Sequence, residues 1–171
     1  MRKFEDFLLK AKETYHEALK LLAGGDFLDA AEKSWWAVEL MRKALLVSVR
    51  IPPEKAESLE FSLPIFERLL KAVERRDLLR EYYRFNSCLH VMGFYRMLTS
   101  EEEIAKTLEE VDIWIRNIEN LAKKLSSVNL SKVVELMDEA LRIKREILKA
   151  NVKYHEALSK ISELIRQTTS K

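Results

Sequence analysis

The residues best suited to chemistry fall close together between positions 82 and 95. They are Tyr82, Tyr83, Arg84, Asn86, Cys88, His90, Gly93, Phe94 and Tyr95. A histidine titrating near neutrality can take up a proton, and the fork of an arginine can clamp a phosphate. Together they suit RNA cleavage without metal, in which one group removes the 2′-hydroxyl proton and a cation steadies the phosphorane. On this reading His90 is the general base, Arg84 the phosphate clamp, and Asn86 and Tyr95 assist. Asn86, four residues before His90, is placed to orient the ring. Geometry objects, because six residues of regular helix rotate by about 240°. Arg84 and His90 then leave different faces, unless the helix is irregular or a second copy supplies one of them. The bland alternative makes His90 a core-edge histidine bonded to Asn86 or Ser87, and Arg84 one half of a surface pair.

Other constellations carry less. Tyr15, Trp35, Trp36 and Trp114 could stack bases, but aromatics at helical spacing are core residues first. Glu32 and Glu39 lie seven apart, as carboxylates of a di-metal bundle do, yet the Glu-x-x-His pairs of such a site are missing. His16 and His155 have no second histidine at ligand spacing, and Cys88 is the single cysteine, so an internal disulfide is excluded and it cannot form a zinc site alone. With no glycine-rich phosphate loop and no nucleophile elbow, the expectation is no metal and no cofactor.

The elements that must hold these residues are helices. The chain of 171 residues is 47% apolar, enough for one real core. Its three glycines and three prolines sit at 24–25, 52–53, 64 and 93, so everything after 93 reads as helix. Charge is high but nearly balanced at +2, which is a solvated surface and not a nucleic-acid footprint. No apolar run approaches the ~18–20 residues of a membrane span, so a soluble cytoplasmic protein is expected. A single glutamine, few glycines and abundant Lys, Arg and Glu match a thermophile's composition.

The organising segment is 26–49. Gly24-Gly25 stops the helix before it (about 4–23), and Asp26 can cap it. It is apolar around most of its circumference: Ala30, Ser34, Ala37, Met41 and Ala44 on one side, Phe27, Trp35, Val38, Leu45 and Val49 on another, with Trp36, Leu40 and Val47 beyond. Such a helix is packed from several directions and belongs at the centre of a bundle. Pro52-Pro53 ends it. A short helix is expected from Pro53, a third capped by Ser62, and a fourth from about 76 to 99. A capping box at Ser100–Glu103 opens a fifth.

The last helix, from about 130 to 167, is different in kind. Leu136, Ala140, Ile143, Ile147, Ala150, Tyr154, Ala157, Ile161 and Leu164 alternate at four and three residues. This is a heptad seam held for about four heptads, of the kind that forms coiled coils. A straight helix of that length spans roughly 55 Å. An apolar seam left in water is a large exposed patch, so pairing with another chain is favoured over packing on the fifth helix. The expected architecture is all-α: an up-and-down bundle of about five helices (1–125) with a long C-terminal heptad helix (126–171), forming a homodimer.

Two stretches carry a resemblance. Gly25-Asp26-Phe27-Leu28-Asp29-Ala30-Ala31-Glu32-Lys33-Ser34-Trp35-Trp36-Ala37 with Lys43-Ala44-Leu45, and Leu89-His90 with Phe94-Tyr95, resemble the archaeal PaREP1 family over roughly 5–125. Gly93 and Arg96 depart from its pattern around Phe-Tyr, and the terminal helix lies outside the resemblance. That family looks related to HEPN bundles and to the helical domains accompanying minimal nucleotidyltransferases. The resemblance implies an HEPN-like bundle that dimerises, with a nucleotidyltransferase-like protein as a candidate partner. HEPN ribonucleases carry an Arg, four to six residues, then His; Arg84 to His90 fits that spacing, with RNA as substrate. The resemblance favours a non-enzymatic, self-associating interaction module, with the ribonuclease as its rival.

Overall fold

The computed structural model describes residues 2–169, with the side chains of 2, 157 and 161–169 left out. Among the described residues every regular element is helical. Helices α1 (Arg2–Ala23), α2 (Phe27–Ser48), α3 (Pro53–Glu57), α4 (Leu59–Ala72) and α5 (Arg76–Phe85) come first. A π-helical segment, Asn86–Tyr95, continues α5, and α6 (Glu101–Leu125) and α7 (Ser131–Thr169) complete the chain. Contacts divide it into two units, Met1–Ser131 and Lys132–Lys171.

The first unit is built on α2, which touches α1, α3, α4, α5, the π segment and α6. Its entry is set by glycine: Gly25 adopts a φ of 81°, and the amides of Gly25 and Asp26 reach back to the carbonyls of Leu22 and Leu21. That closes α1 in the manner of a Schellman turn. Asp26 then caps α2 by accepting from the Asp29 amide at 3.2 Å, and α1 and α2 pack along their length. Fourteen residues of α2 are buried, including Trp35, Met41, Leu45 and Leu46.

Two buried aromatics stitch α6 to its neighbours while satisfying their own polar ends. Tyr15 of α1 donates to the Leu108 carbonyl at 2.8 Å, and Trp114 donates to the Leu78 carbonyl of α5 at 3.0 Å. Ser100 opens α6 by accepting from the Glu103 amide.

Three expectations need correction. Ser62 does not cap α4, which begins at Leu59 behind Ser58. It lies inside the helix and is buried, because its hydroxyl answers a buried cation described below. Trp36 is 48% exposed, since the neighbours of α2 cover the Trp35 side and leave the adjoining face to Lys43, whose Nζ lies 5.9 Å from the indole. The helix expected to run to 99 leaves α geometry at Asn86 and ends at Tyr95.

In the second unit, α7 is one continuous helix to Thr169. On its seam Leu136, Ile143, Ile147 and Tyr154 are 60%, 46%, 56% and 61% exposed. Ala157, Ile161 and Leu164 lie outside the described side chains.

Candidate functional site

The π segment decides where the candidate residues go. In π winding the amide reaches five residues back instead of four; the Arg96 amide meets the Val91 carbonyl at 3.1 Å. Gly93 is what this permits. A Cβ there would stand 2.7 Å from the Cys88 carbonyl oxygen, five residues back, and 3.5 Å from the Ala31 Cβ. The missing side chain lets the segment take up π winding and lie close on α2. The same Cys88 carbonyl accepts from the Thr99 hydroxyl at 3.2 Å.

His90 thereby faces α2. Its Nδ1 lies 2.8 Å from a Glu32 carboxylate oxygen. An ionised carboxylate only accepts, so in this hydrogen bond Nδ1 is the donor. The imidazole stacks on Trp35 at 5.6 Å and 26°, and Tyr95 meets it edge-on at 4.8 Å. Both His90 and Glu32 are half-buried, while Tyr95 is exposed. The ring's Nδ1 is therefore held by Glu32, not by Asn86 or Ser87, and Asn86 is half-buried one π turn earlier.

Arg84 takes the other direction. It pairs with Glu110 of α6 and covers the Phe85 ring at 4.9 Å. It borders a cavity of about 330 Å³ with Arg80, Glu81 and Ile113. Within one chain the structure groups His90 with Tyr95, Trp35 and Glu32, while Arg84 engages α6. Burial pushes the nearby Cys88 thiol up, with the Glu103 charge adding to it.

A second polar cluster lies deeper on α2. Arg42 is fully buried and donates to Glu39 through Nε at 3.2 Å and Nη2 at 3.0 Å. Its Nη1 reaches the Ser62 hydroxyl at 2.5 Å. Tyr82 donates to the same Glu39 at 2.6 Å. Burial, together with the Glu39 charge and hydrogen bond, drives the Tyr82 phenol far above its ordinary range. Arg42 drew no notice in the sequence, although a Glu and an Arg three apart on one helix are ready partners.

Glu32 and Glu39 thus serve separate partners, His90 and Arg42, and among the described residues no group of three or more His, Cys, Asp or Glu side chains is placed to hold a metal. The carboxylate of Glu32 also borders a cavity of about 510 Å³, rimmed by Lys10, Lys33, Lys43, Asp29 and Trp36. Lys33 is taken by Glu17 at 2.8 Å. Of the aromatics considered as a stacking platform, Tyr15, Trp35 and Trp114 are core.

Among known proteins, the model of the archaeal PaREP1/PaREP8 family matches residues 6–167. The match takes in nearly all of α7, which the motif-based resemblance had left outside. No curated protein and no solved structure matches the chain. No helix among the described residues is long and apolar enough to cross a membrane.

Proposed function

The chain belongs to the archaeal PaREP1/PaREP8 family, and we propose that it is a self-associating helical interaction module. The observation that carries this reading is the seam of α7. Leu136, Ile143, Ile147 and Tyr154 are all exposed at heptad spacing, and a row of large apolar side chains in water is stabilised by a partner that covers it. Arg84 supports the same side, because its guanidinium is paired with Glu110 and turned to α6. On this reading the bundle is of the HEPN type, and a nucleotidyltransferase-like protein is the heterologous partner it would admit.

The test is mass in solution. Light scattering on the full chain should give a dimer, and Ile143→Glu with Ile147→Glu should return it to a monomer with unchanged helical content. A monomeric wild-type chain sinks the proposal.

One observation favours the rival, a metal-independent ribonuclease. The Glu32–His90 pair orients an imidazole as a base is oriented in hydrolytic sites. In that reading His90 takes the 2′-hydroxyl proton, Tyr95 and Asn86 assist, and Arg84 comes from a second copy. Cleavage of generic RNA in the presence of chelator should then vanish in His90→Ala. Equal cleavage by both proteins, or none by either, rejects it.

A further inference from the structure

We infer that the occupant of the α7 seam is α7 of a second copy running antiparallel to it. This rests on the self-association proposed above and adds the geometry of the pair. Charge register sets the orientation. With Leu136, Ile143 and Ala150 at d, and Ala140, Ile147 and Tyr154 at a, the residue before each a position is a g position. Those are Glu139, Glu146, Lys153 and Lys160. Two acids therefore come first and two bases second, and all four are exposed.

In a parallel pair, g side chains face the e positions of the partner. Glu139 then meets Lys144, but Glu146 meets Asn151 and Lys153 meets Leu158. In an antiparallel pair g faces g and e faces e. One register, with Ile147 of each chain against Ala150 of the other, seats Glu146 against Lys153 and Glu139 against Lys160. Two-fold symmetry repeats both pairs, so all eight g-position charges are matched.

The same register puts Ile143 against Tyr154 and places Met137 beside Leu158, an apolar pair at the e positions. It spares the dimer a Tyr154–Tyr154 layer and an Ala150–Ala150 layer. Within one helix Glu146 meets Arg142 only at 4.0 Å, with both side chains about two-thirds exposed, so it is available to a partner. Exposed ion pairs add little affinity singly, but the antiparallel register matches four of them where the parallel one matches only Glu139–Lys144 and its symmetry mate.

Cross-linking reads the orientation. In a Cys88→Ser background, one preparation carries Ile143→Cys and a second, of different tag length, carries Tyr154→Cys. Light scattering under reducing conditions first checks that each variant is still dimeric. On oxidation, the mixture should give a disulfide-linked heterodimer, and neither preparation alone should link to itself. In the antiparallel pair, positions 143 of the two copies are separated by about 16 Å of helix axis.

Self-linking of either single variant, or no linking in any tube, overturns the orientation while a dimeric mass leaves self-association standing. A monomeric wild type removes both. A second measurement does not depend on the cysteines. Glu139→Lys with Glu146→Lys should lower dimer affinity at least tenfold, as should Lys153→Glu with Lys160→Glu, and mixing the two double variants should restore wild-type affinity. Failure of the mixture to recover overturns the register.

Discussion

Glu32 and Glu39 stand two turns apart on α2, each facing a basic side chain, yet they occupy opposite regimes. Glu39 and Arg42 are buried, and their polar atoms are shared with Tyr82 and Ser62, so four side chains from three helices close one network. Glu32 and His90 are half-buried, joined by one hydrogen bond and backed by Trp35 and Tyr95. The difference is one of solvent. Removing a partner from a closed network strands a charge in low dielectric, whereas water can replace a partner at a half-open pair. The deep pair therefore answers to the fold, and the shallow one stays within reach of solvent.

The sharpest way to break the comparison is to remove one partner from each pair. Arg42→Ala should cost about 3–5 kcal/mol, since Glu39 would be left buried and unpaired. Glu32→Gln should cost no more than about 1 kcal/mol, within the range of solvent-accessible pairs. Urea unfolding of both variants decides it, and equal costs would erase the distinction.

Gly93→Ala tests the backbone that brings His90 to Glu32. Its Cβ meets the Cys88 carbonyl at 2.7 Å, so the expected loss is about 1–3 kcal/mol, as for other overpacked positions. The His90 imidazole resonances should shift with it, as the ring leaves Trp35. An unchanged melting temperature and spectrum would show that the π winding does not depend on the glycine.

A third carboxylate, Glu119, is half-buried like Glu32 but held by two lysines, and gives the smallest effect. Burial raises the Glu119 pKa, but hydrogen bonds from Lys12 and Lys123 outweigh it and hold the carboxyl below its ordinary value. Lys12 and Lys123 lie 2.7 and 2.8 Å away, and the first links α1 to α6. A depressed folded pKa stabilises above the unfolded value of about 4.3. That stabilisation fades as pH falls through the folded value. Glu119→Gln should therefore melt below wild type at pH 7, and the gap should close on acidification. A gap that is constant with pH would assign the effect to packing.

Much of the fold was legible because it follows from local rules. The glycine pair, the Asp26 cap and the all-round apolar pattern of α2 placed a central helix, and the Ser100 box placed the start of α6. These signals lie within a few residues of what they control. Ser62 shows the limit: a serine two residues before a proline reads as a cap, but its role was set by Arg42, twenty residues away in sequence. Trp35 and Trp36 show it again, for adjacent indoles of equal hydropathy were sorted into core and surface by where the other helices lie.

By itself, the order of residues determined that the chain is helical and which segment is wrapped, because periodicity and capping act over one or two turns. Only the tertiary structure decided that Arg84 turns to Glu110 while His90 turns to Glu32. The π winding at Gly93 changes the angular phase of every residue after Asn86, and the close approach of Ala31 that this glycine accommodates comes from a helix more than fifty residues earlier.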